Sequence, residues 1–384
     1  MRLLVDTLAY ALGRPGLTRV WSALLPALAM RTDVDLVLLD RGGCPDVAGA
    51  RRIAFPSYHL GNTAEDSRFI DAAARMVGAE AFVSTWHSSP LTIPSVALVA
   101  DMIPEREQFD VSLRIWKEKE TALSFASAYL CLSETARADL TRVYPSIDAS
   151  RIASCAPPLD LGVFRPRGDA EIAAFRASHG VPERYLVLRG GNEARAADNG
   201  AAMLVGALKR LKGEAVHVLC VGRPSWFAFY LSARLPSHVT LQCLDIGGEE
   251  LARAYSGALG LIYPSPTEAM ELTAIEAMAC GCPVIAAQVA PSGFDTEDPV
   301  LAFADGDHAA LLSALVPLDD ADGRRQLVAN GQRKAAAMGG GDLAGTLHGL
   351  LEQVVADSRS ERMQMFFRRW SELRTLQADV DIGL

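Results

Sequence analysis

No two of the seven cysteines, Cys44, Cys131, Cys155, Cys220, Cys243, Cys280 and Cys282, form a CxxC pair, and their number is odd. A disulfide framework and a zinc site are therefore disfavoured, and a reducing compartment suits the chain. No apolar run approaches the about 20 residues that cross a bilayer as a helix. The start, MRLLVDTLAY, lacks an h-region ending in a small-residue cleavage site. The expectation is a soluble, cytoplasmic protein, with peripheral attachment to a membrane left open because it needs no such span. Positive charge is in deficit: 37 Lys and Arg against 46 Asp and Glu give a net charge of −9, which argues against a general nucleic-acid binder. Internal repeats and low-complexity tracts are missing too, so any likeness between the two halves is architectural.

What is present is a strand-helix alternation in a chain of 384 residues, half of them apolar, enough for two domains with substantial cores. Arg2 to Thr7 reads as a first strand and Ala11 to Arg19 as a glycine-containing loop. Val20, Trp21, Leu24, Leu25 and Leu28 then recur at helical spacing. Val34 to Leu39, Ala81 to Ser84, Val96 to Val99 and Ala128 to Leu132 read as further strands, the last followed by an N-cap signal at Ser133. Pro157-Pro158, Gly162, Pro166 and Gly168 crowd together and mark the strongest break. The expected domains are 1–165 and 166–350, followed by a C-terminal helical segment, 351–384. Alternation resumes with strands at Tyr185 to Leu188, His217 to Val221 and Val239 to Leu244. A glycine-rich loop from Arg189 to Gly200 precedes a helix at Ala201 to Leu211, and a short helix covers Glu249 to Tyr255.

The stretch Gly260 to Ala287, GLIYPSPTEAMELTAIEAMACGCPVIAA, sets the frame of the second half. Leu259, Leu261, Ile262 and Tyr263 make a continuous apolar run of the sort found in parallel strands covered on both faces, ended by Pro264 and Pro266. Thr273-Ala274-Ile275-Glu276 has the S/T-x-x-E form of a helix start, and Gly281 stands where a C-cap glycine belongs. Val284 to Ala287 enters the sheet again. Such units bind ligands at the carboxyl ends of their strands, where helix N-termini offer N–H groups and a positive dipole end to phosphate. Glu268 and Glu276 would flank that site. Carboxylates repel phosphate and suit hydroxyls, which points to a sugar attached to a nucleoside diphosphate. The plainer alternatives are that Glu276 closes a capping box and that Glu268 is a solvated loop residue.

At these residues the chain resembles the nucleotide-sugar-dependent retaining glycosyltransferases of family 4 (glycosyl transferases group 1). Their fold is GT-B, an α/β architecture of two doubly wound Rossmann-like domains facing an interdomain cleft. The family's E-x7-E followed by EAMACG-PVIA is met by Glu268, Glu276 and the run EAMACGCPVIAA. The resemblance implies that Glu276 binds the donor's ribose hydroxyls and Glu268 holds the transferred sugar. Relatives read E-G-F-G-L-P where this chain has Glu268-Ala269-Met270-Glu271-Leu272-Thr273, so Met270, Glu271, Leu272 and Thr273 line the donor position. Glu271 either selects an unusual sugar or turns to solvent. Gly13 and Gly16 match the family's glycine-rich loop, which implies donor binding; the plainer alternative is a structural turn. Arg195 is assigned to the diphosphate with Asn199 in the same loop; Asp198 stands where relatives carry lysine. Arg223 either grips phosphate or forms a surface salt bridge, guanidinium being suited to phosphate by its paired donors.

STWHSSPL, DMIPE and WKEK are similar to a bacterial subgroup that builds surface polysaccharides. Ala100 replaces the histidine that many relatives place before Asp101. Asp101 either faces the acceptor or caps the next segment, and His87 reads as a structural residue unless it substitutes for that histidine. The triplets Asp33-Val34-Asp35, Asp305-Gly306-Asp307 and Asp379-Val380-Asp381 read as solvated turns, and no metal or other cofactor is expected.

The resemblance implies transfer of a sugar from a nucleoside-diphosphate donor to a glycan or lipid-linked acceptor, with retention, in polysaccharide or lipopolysaccharide synthesis. Catalytic roles fall to Glu268, Arg195 and Asp101. The alternatives are a scaffold of the same fold that has lost catalysis, or an epimerase or phosphorylase; for the last, no lysine suggests itself as a pyridoxal phosphate site. The resemblance implies that the last segment, 351–384, crosses back to the first domain; Leu343 to Leu376 carries Met363, Phe366, Phe367 and Trp370 at helical spacing with arginines at 359, 362, 368 and 369, read as packing. An inner-membrane contact and a homodimer stay open.

Overall fold

Leu3, Leu4 and Val5 are wholly buried and form the middle of a parallel sheet, as an unbroken apolar run should when both sheet faces are covered. The computed structural model describes residues 1–106, 109–189, 204–210, 215–222, 233–263, 272–288, 300–304, 307–315, 318, 320–338 and 341–382. The chain divides into two compact units, Met1–Pro158 with Gly341–Leu384, and Leu159–Gly340. The sequence reading set its boundaries at 165/166 and 350/351.

The first unit contains β1 (Arg2–Asp6), α1 (Leu8–Ala11), α2 (Pro15–Ala29), β2 (Asp35–Asp40), β3 (Arg51–Ala54), α3 (Thr63–Val77), β4 (Ala81–Ser84), β5 (Val96–Val99), α4 (Ile103–Arg106), α5 (Arg114–Phe125), β6 (Ala128–Cys131), α6 (Glu134–Val143) and β7 (Ile152–Ser154). Its strands run in the order β3-β2-β1-β4, joined through a parallel Phe82–Ser95 bridge to β5-β6-β7. The order reverses between β1 and β4. Val20, Trp21, Leu24, Leu25 and Leu28 of α2 are all buried, as their spacing requires. The glycine-containing loop is shorter than expected: Pro15 occupies the first turn of α2, so Gly16 is helical and Gly13, at φ 59°, is the loop's turning residue. Ser133 caps α6 by accepting from the Ala136 N–H at 3.0 Å.

The second unit contains α7 (Asp169–His179), β8 (Leu186–Arg189), β9 (Val216–Val221), β10 (Val239–Leu244), α8 (Gly248–Gly257), β11 (Gly260–Tyr263), α9 (Leu272–Ala279), β12 (Val284–Gln288), β13 (Val300–Ala304), α10 (His308–Leu315) and α11 (Ala321–Met338). Its sheet runs β10-β9-β8-β11-β12-β13, reversing between β8 and β11. Alternate residues serve opposite faces. Val187, Leu261 and Tyr263 pack with Phe175, Leu251, Tyr255 and Ile275, whereas Leu186, Leu188 and Ile262 pack with Leu204, Leu208 and Leu311.

The chain ends in α12 (Leu343–Ser358) and α13 (Glu361–Ile382), both in the first unit. The rings of Phe366, Phe367 and Trp370 lie 5.8, 6.0 and 5.2 Å from that of the buried Phe125, which is the packing role their spacing suggests. Arg374, 3 % exposed, donates to the Thr63 carbonyl at 2.9 Å and the Ser67 hydroxyl at 3.0 Å, and pairs with Glu118 at 3.3 Å. Among the described residues no helix is long and apolar enough to cross a membrane.

A second buried guanidinium ties the strand ends together. Arg41 follows β2 and donates to both oxygens of Asp6, the last residue of β1, at 2.8 and 3.0 Å. It also donates to both oxygens of Asp66 on α3, at 2.8 and 2.7 Å. The Phe55 and Tyr58 rings cover it at 4.6 and 5.7 Å. Burial raises the Asp66 carboxyl above its ordinary range, and Arg41 opposes that shift. Arg41→Met would leave two carboxylates buried without their counter-ion and should destabilise the protein by about 3–5 kcal/mol. Urea unfolding at neutral pH measures this, and a loss below about 1 kcal/mol would mean that the pair is not held by charge.

Candidate active site

In a doubly wound sheet the crevice outside the strand carboxyl ends, at the reversal of strand order, is the place for a ligand. In the second unit that edge is marked by Arg189 and Tyr263, the last residues of β8 and β11. Helix α9 belongs to this edge. Thr273 through Ala279 are all buried on it, including Glu276, which is 2 % exposed. A carboxylate so placed is no solvated surface group, since removing its charge from water is costly. The helix is already under way at Leu272, so Thr273 does not hold the N-cap position that a capping box with Glu276 would need. Leu272 is half-buried and Thr273 buried.

The end of α9 is as the sequence suggests. Gly281 takes φ 76°, a left-handed value that a side chain would strain, and its N–H donates to the Met278 carbonyl at 3.0 Å. Burial, then the charge of Glu276, pushes the Cys280 thiol up to about 12, so it stays protonated and unreactive at neutral pH. Arg195, Asn199, Arg223, Glu268, Met270 and Glu271, the other residues assigned to donor or catalysis, lie outside the described residues.

In the first unit the corresponding edge lies between Asp6 and Ser84, the last residues of β1 and β4. Thr85 accepts from the Ala9 N–H at 2.9 Å, which ties the two following segments together. The Trp86 and His87 rings are 4.1 Å apart, and the Arg14 guanidinium sits over Trp86 at 4.5 Å. Lys119 of α5 donates to the Asp101 carbonyl at 3.0 Å and to Glu105 at 2.8 Å. The Asp101 carboxylate accepts from the Ile103 N–H at 3.0 Å, the bond that its capping alternative requires. Gly13 and Gly16 lie either side of Arg14. Sequence reasoning did not single out Arg14; its signal is an arginine at an N-cap, where Ser, Thr, Asp or Asn is usual. Arg41 was missed as well, and only its place after a buried strand hints at it.

Burial, then the cations Lys119 and Arg14, hold the His87 imidazole well below its ordinary pKa, although the residue as a whole is only half-buried. A second histidine, His348 of α12, bonds Asp33 through Nε2 at 3.1 Å and faces Glu352 through Nδ1 at 3.5 Å. Arg31 lies 3.2 Å from that Nδ1 and 3.3 Å from Asp33, so a cation already stands among the donor atoms of this group. Asp35 pairs with Arg2 at 2.6 Å and with Arg51 at 3.3 Å.

Residues 185–319 match the family described as Glycosyl transferases group 1. Over 194 residues, 45% of this chain and 46% of the relative, the sequence is 28% identical to alpha-maltose-1-phosphate synthase of Mycobacterium tuberculosis. The chain spans about half the length of the curated relatives it matches. Among solved structures it is similar to Anabaena Alr3699/HepE in complex with UDP and glucose, with TM-score 0.71, 15% identity, and 93% of this chain and 100% of that one covered. It is also similar to WaaG, a glycosyltransferase involved in lipopolysaccharide biosynthesis, with TM-score 0.66, 18% identity, and 92% and 98% covered. The fold is thus GT-B, and the chain carries a group 1 glycosyltransferase domain.

The folded state refuses a proton at His87 that the unfolded chain accepts near pH 6.5. The unfolded state then binds more protons, so stability falls as pH drops through 6.5 towards the depressed pKa, by at most about 1.4 kcal/mol per pH unit for one group. His87→Asn should flatten the slope between about pH 7 and 5 in urea unfolding. Parallel wild-type and variant profiles would show that the ring titrates normally.

Proposed function

We propose that this chain, through the group 1 domain at residues 185–319, is a retaining glycosyltransferase that moves a sugar from a nucleoside diphosphate to a saccharide or lipid-linked acceptor. The observation that carries the reading is Glu276: a carboxylate 2 % exposed, on the helix beside the strand-order reversal, inside the matched domain. A carboxylate can accept from both hydroxyls of a ribose through its two oxygens, which suits a nucleoside at this edge.

In the proposed mechanism Glu276 positions the nucleoside and Glu268 the transferred sugar. Arg195 and Arg223, together with N–H groups at the start of α9, answer the charge that grows on the departing diphosphate. Stabilising that leaving group in a site shielded from water is the main source of rate. The acceptor hydroxyl gives its proton to the leaving phosphate, so no separate protein base is invoked, and Asp101 orders the segment facing the acceptor. No metal or further cofactor enters this scheme. Placement in surface-polysaccharide synthesis, at the cytoplasmic face of an inner membrane, is supported by the STWHSSPL and DMIPE motifs and by the exposed Met365, Leu373 and Leu376 on α13, flanked by arginines.

The test is a thermal-shift screen against UDP, GDP, ADP, CMP and dTDP. One nucleotide at a hundredfold over its Kd should add about 2.7 kcal/mol of apparent stability, and Glu276→Gln, close in shape, should remove most of it. If no nucleotide shifts the melting of the wild type at millimolar concentration, the transferase reading fails and a binding scaffold takes its place.

A further inference from the structure

Among the described residues, the edge of the first unit holds a positive charge that no carboxylate answers. Lys119 is neutralised by Glu105, and Arg41 by Asp6 and Asp66. Arg14 has no carboxylate partner among the described residues, and its Nε is buried without a hydrogen-bond partner. Its guanidinium nevertheless sits over the Trp86 ring, 4.5 Å from its centroid, at the point where strand order reverses. Ordering a long cation by stacking, without an ion partner, leaves its donors directed to something else.

The surroundings sharpen this. Arg14 is the N-cap residue of α2, a helix of 15 residues with no acid in its first turn and no side chain capping it. A cation there opposes the positive end of the helix dipole, and an anion would be attracted by both. The neighbouring His87 ring feels the same field from Arg14 and Lys119, which is part of why it stays unprotonated. A neutral sugar could accept hydrogen bonds at this place, but only an anionic group would cancel the charge.

We propose that Arg14, seated on Trp86 beside His87, reads an anionic substituent, a carboxylate or a phosphate, on the acceptor. The inference rests on the glycosyl-transfer reading, in which Glu276 of the second unit takes the nucleoside and Asp101 of the first orders the segment facing the acceptor. It makes the acceptor a charged saccharide rather than a neutral one. Arg14 acts by binding and orientation, with its paired N–H donors matched to two oxygens of the anion.

The test uses the full chain, with glucuronate, glucose 6-phosphate and glucose as probes at constant ionic strength, followed by thermal shift and calorimetry. One of the two anionic sugars should stabilise the wild type where glucose does not, and which of them does so separates carboxylate from phosphate. Arg14→Gln should weaken that binding about tenfold or more, Arg14→Lys should retain part of it, and the shift given by the nucleoside diphosphate should be equal in all three proteins. The inference is overturned if glucose matches the anions, if Arg14→Gln binds them as the wild type does, or if Arg14→Gln loses the nucleotide shift, which would place Arg14 on the donor. A wild type that binds a nucleotide but neither anionic sugar overturns this inference alone; one that binds no nucleotide overturns the transferase reading beneath it. Should Arg14→Gln fail to fold, the wild-type contrast between charged and neutral sugars still decides.

Discussion

Every strand pairing among the described residues is parallel. From that constraint the rest follows. Parallel strands need crossover connections, so each strand is joined to the next through a helix or a long loop, and all carboxyl ends in a sheet lie along one edge. Helices must then cover both faces, which is why β8 and β11 read as unbroken apolar runs and send alternate residues to two different clusters. The same geometry leaves one reversal of strand order per unit, and residues far apart in sequence meet there.

At these edges the protein treats charge in two ways. Arg41 is enclosed and fully paired, with two carboxylates and two aromatic rings around it, and serves to bind α3 to the ends of β1 and β2. Arg374 does comparable work for α13 through Glu118, Thr63 and Ser67. Buried ion groups of this kind hold one arrangement against others more than they add net stability. Arg14 differs. Among the described residues it is met by an aromatic ring rather than by an acid. Charges positioned by packing, at the edge where ligands enter, are what a binding site requires.

Much of this was legible residue by residue. The stripe of Val20, Trp21, Leu24, Leu25 and Leu28 announced a packed helix, Gly281 announced the end of α9, and Ser133 announced the start of α6, because each depends on neighbours a few positions away. Errors arose where a local signal had a competitor. Gly13 and Gly16 suggested one continuous loop, but a proline at the first helical position starts α2 between them. Thr273 and Glu276 have capping-box spacing, yet the helix already includes Leu272. The edge strand β3, Arg51–Ala54, has only one partner strand and mostly exposed side chains, so its sequence carries no alternation to betray it.

By itself the sequence determined the α/β class, the strand-helix alternation and the E-x7-E pattern that a group 1 domain carries, since these are written in short-range periodicity and in a contiguous motif. Tertiary structure alone decided that Asp6, Arg41 and Asp66 form one buried group, and that Arg14 lies over Trp86 with no acid to answer it among the described residues. The physical reason is separation along the chain: Arg14 and Trp86 are 72 positions apart, and no local propensity reports a contact that only the parallel crossover brings about.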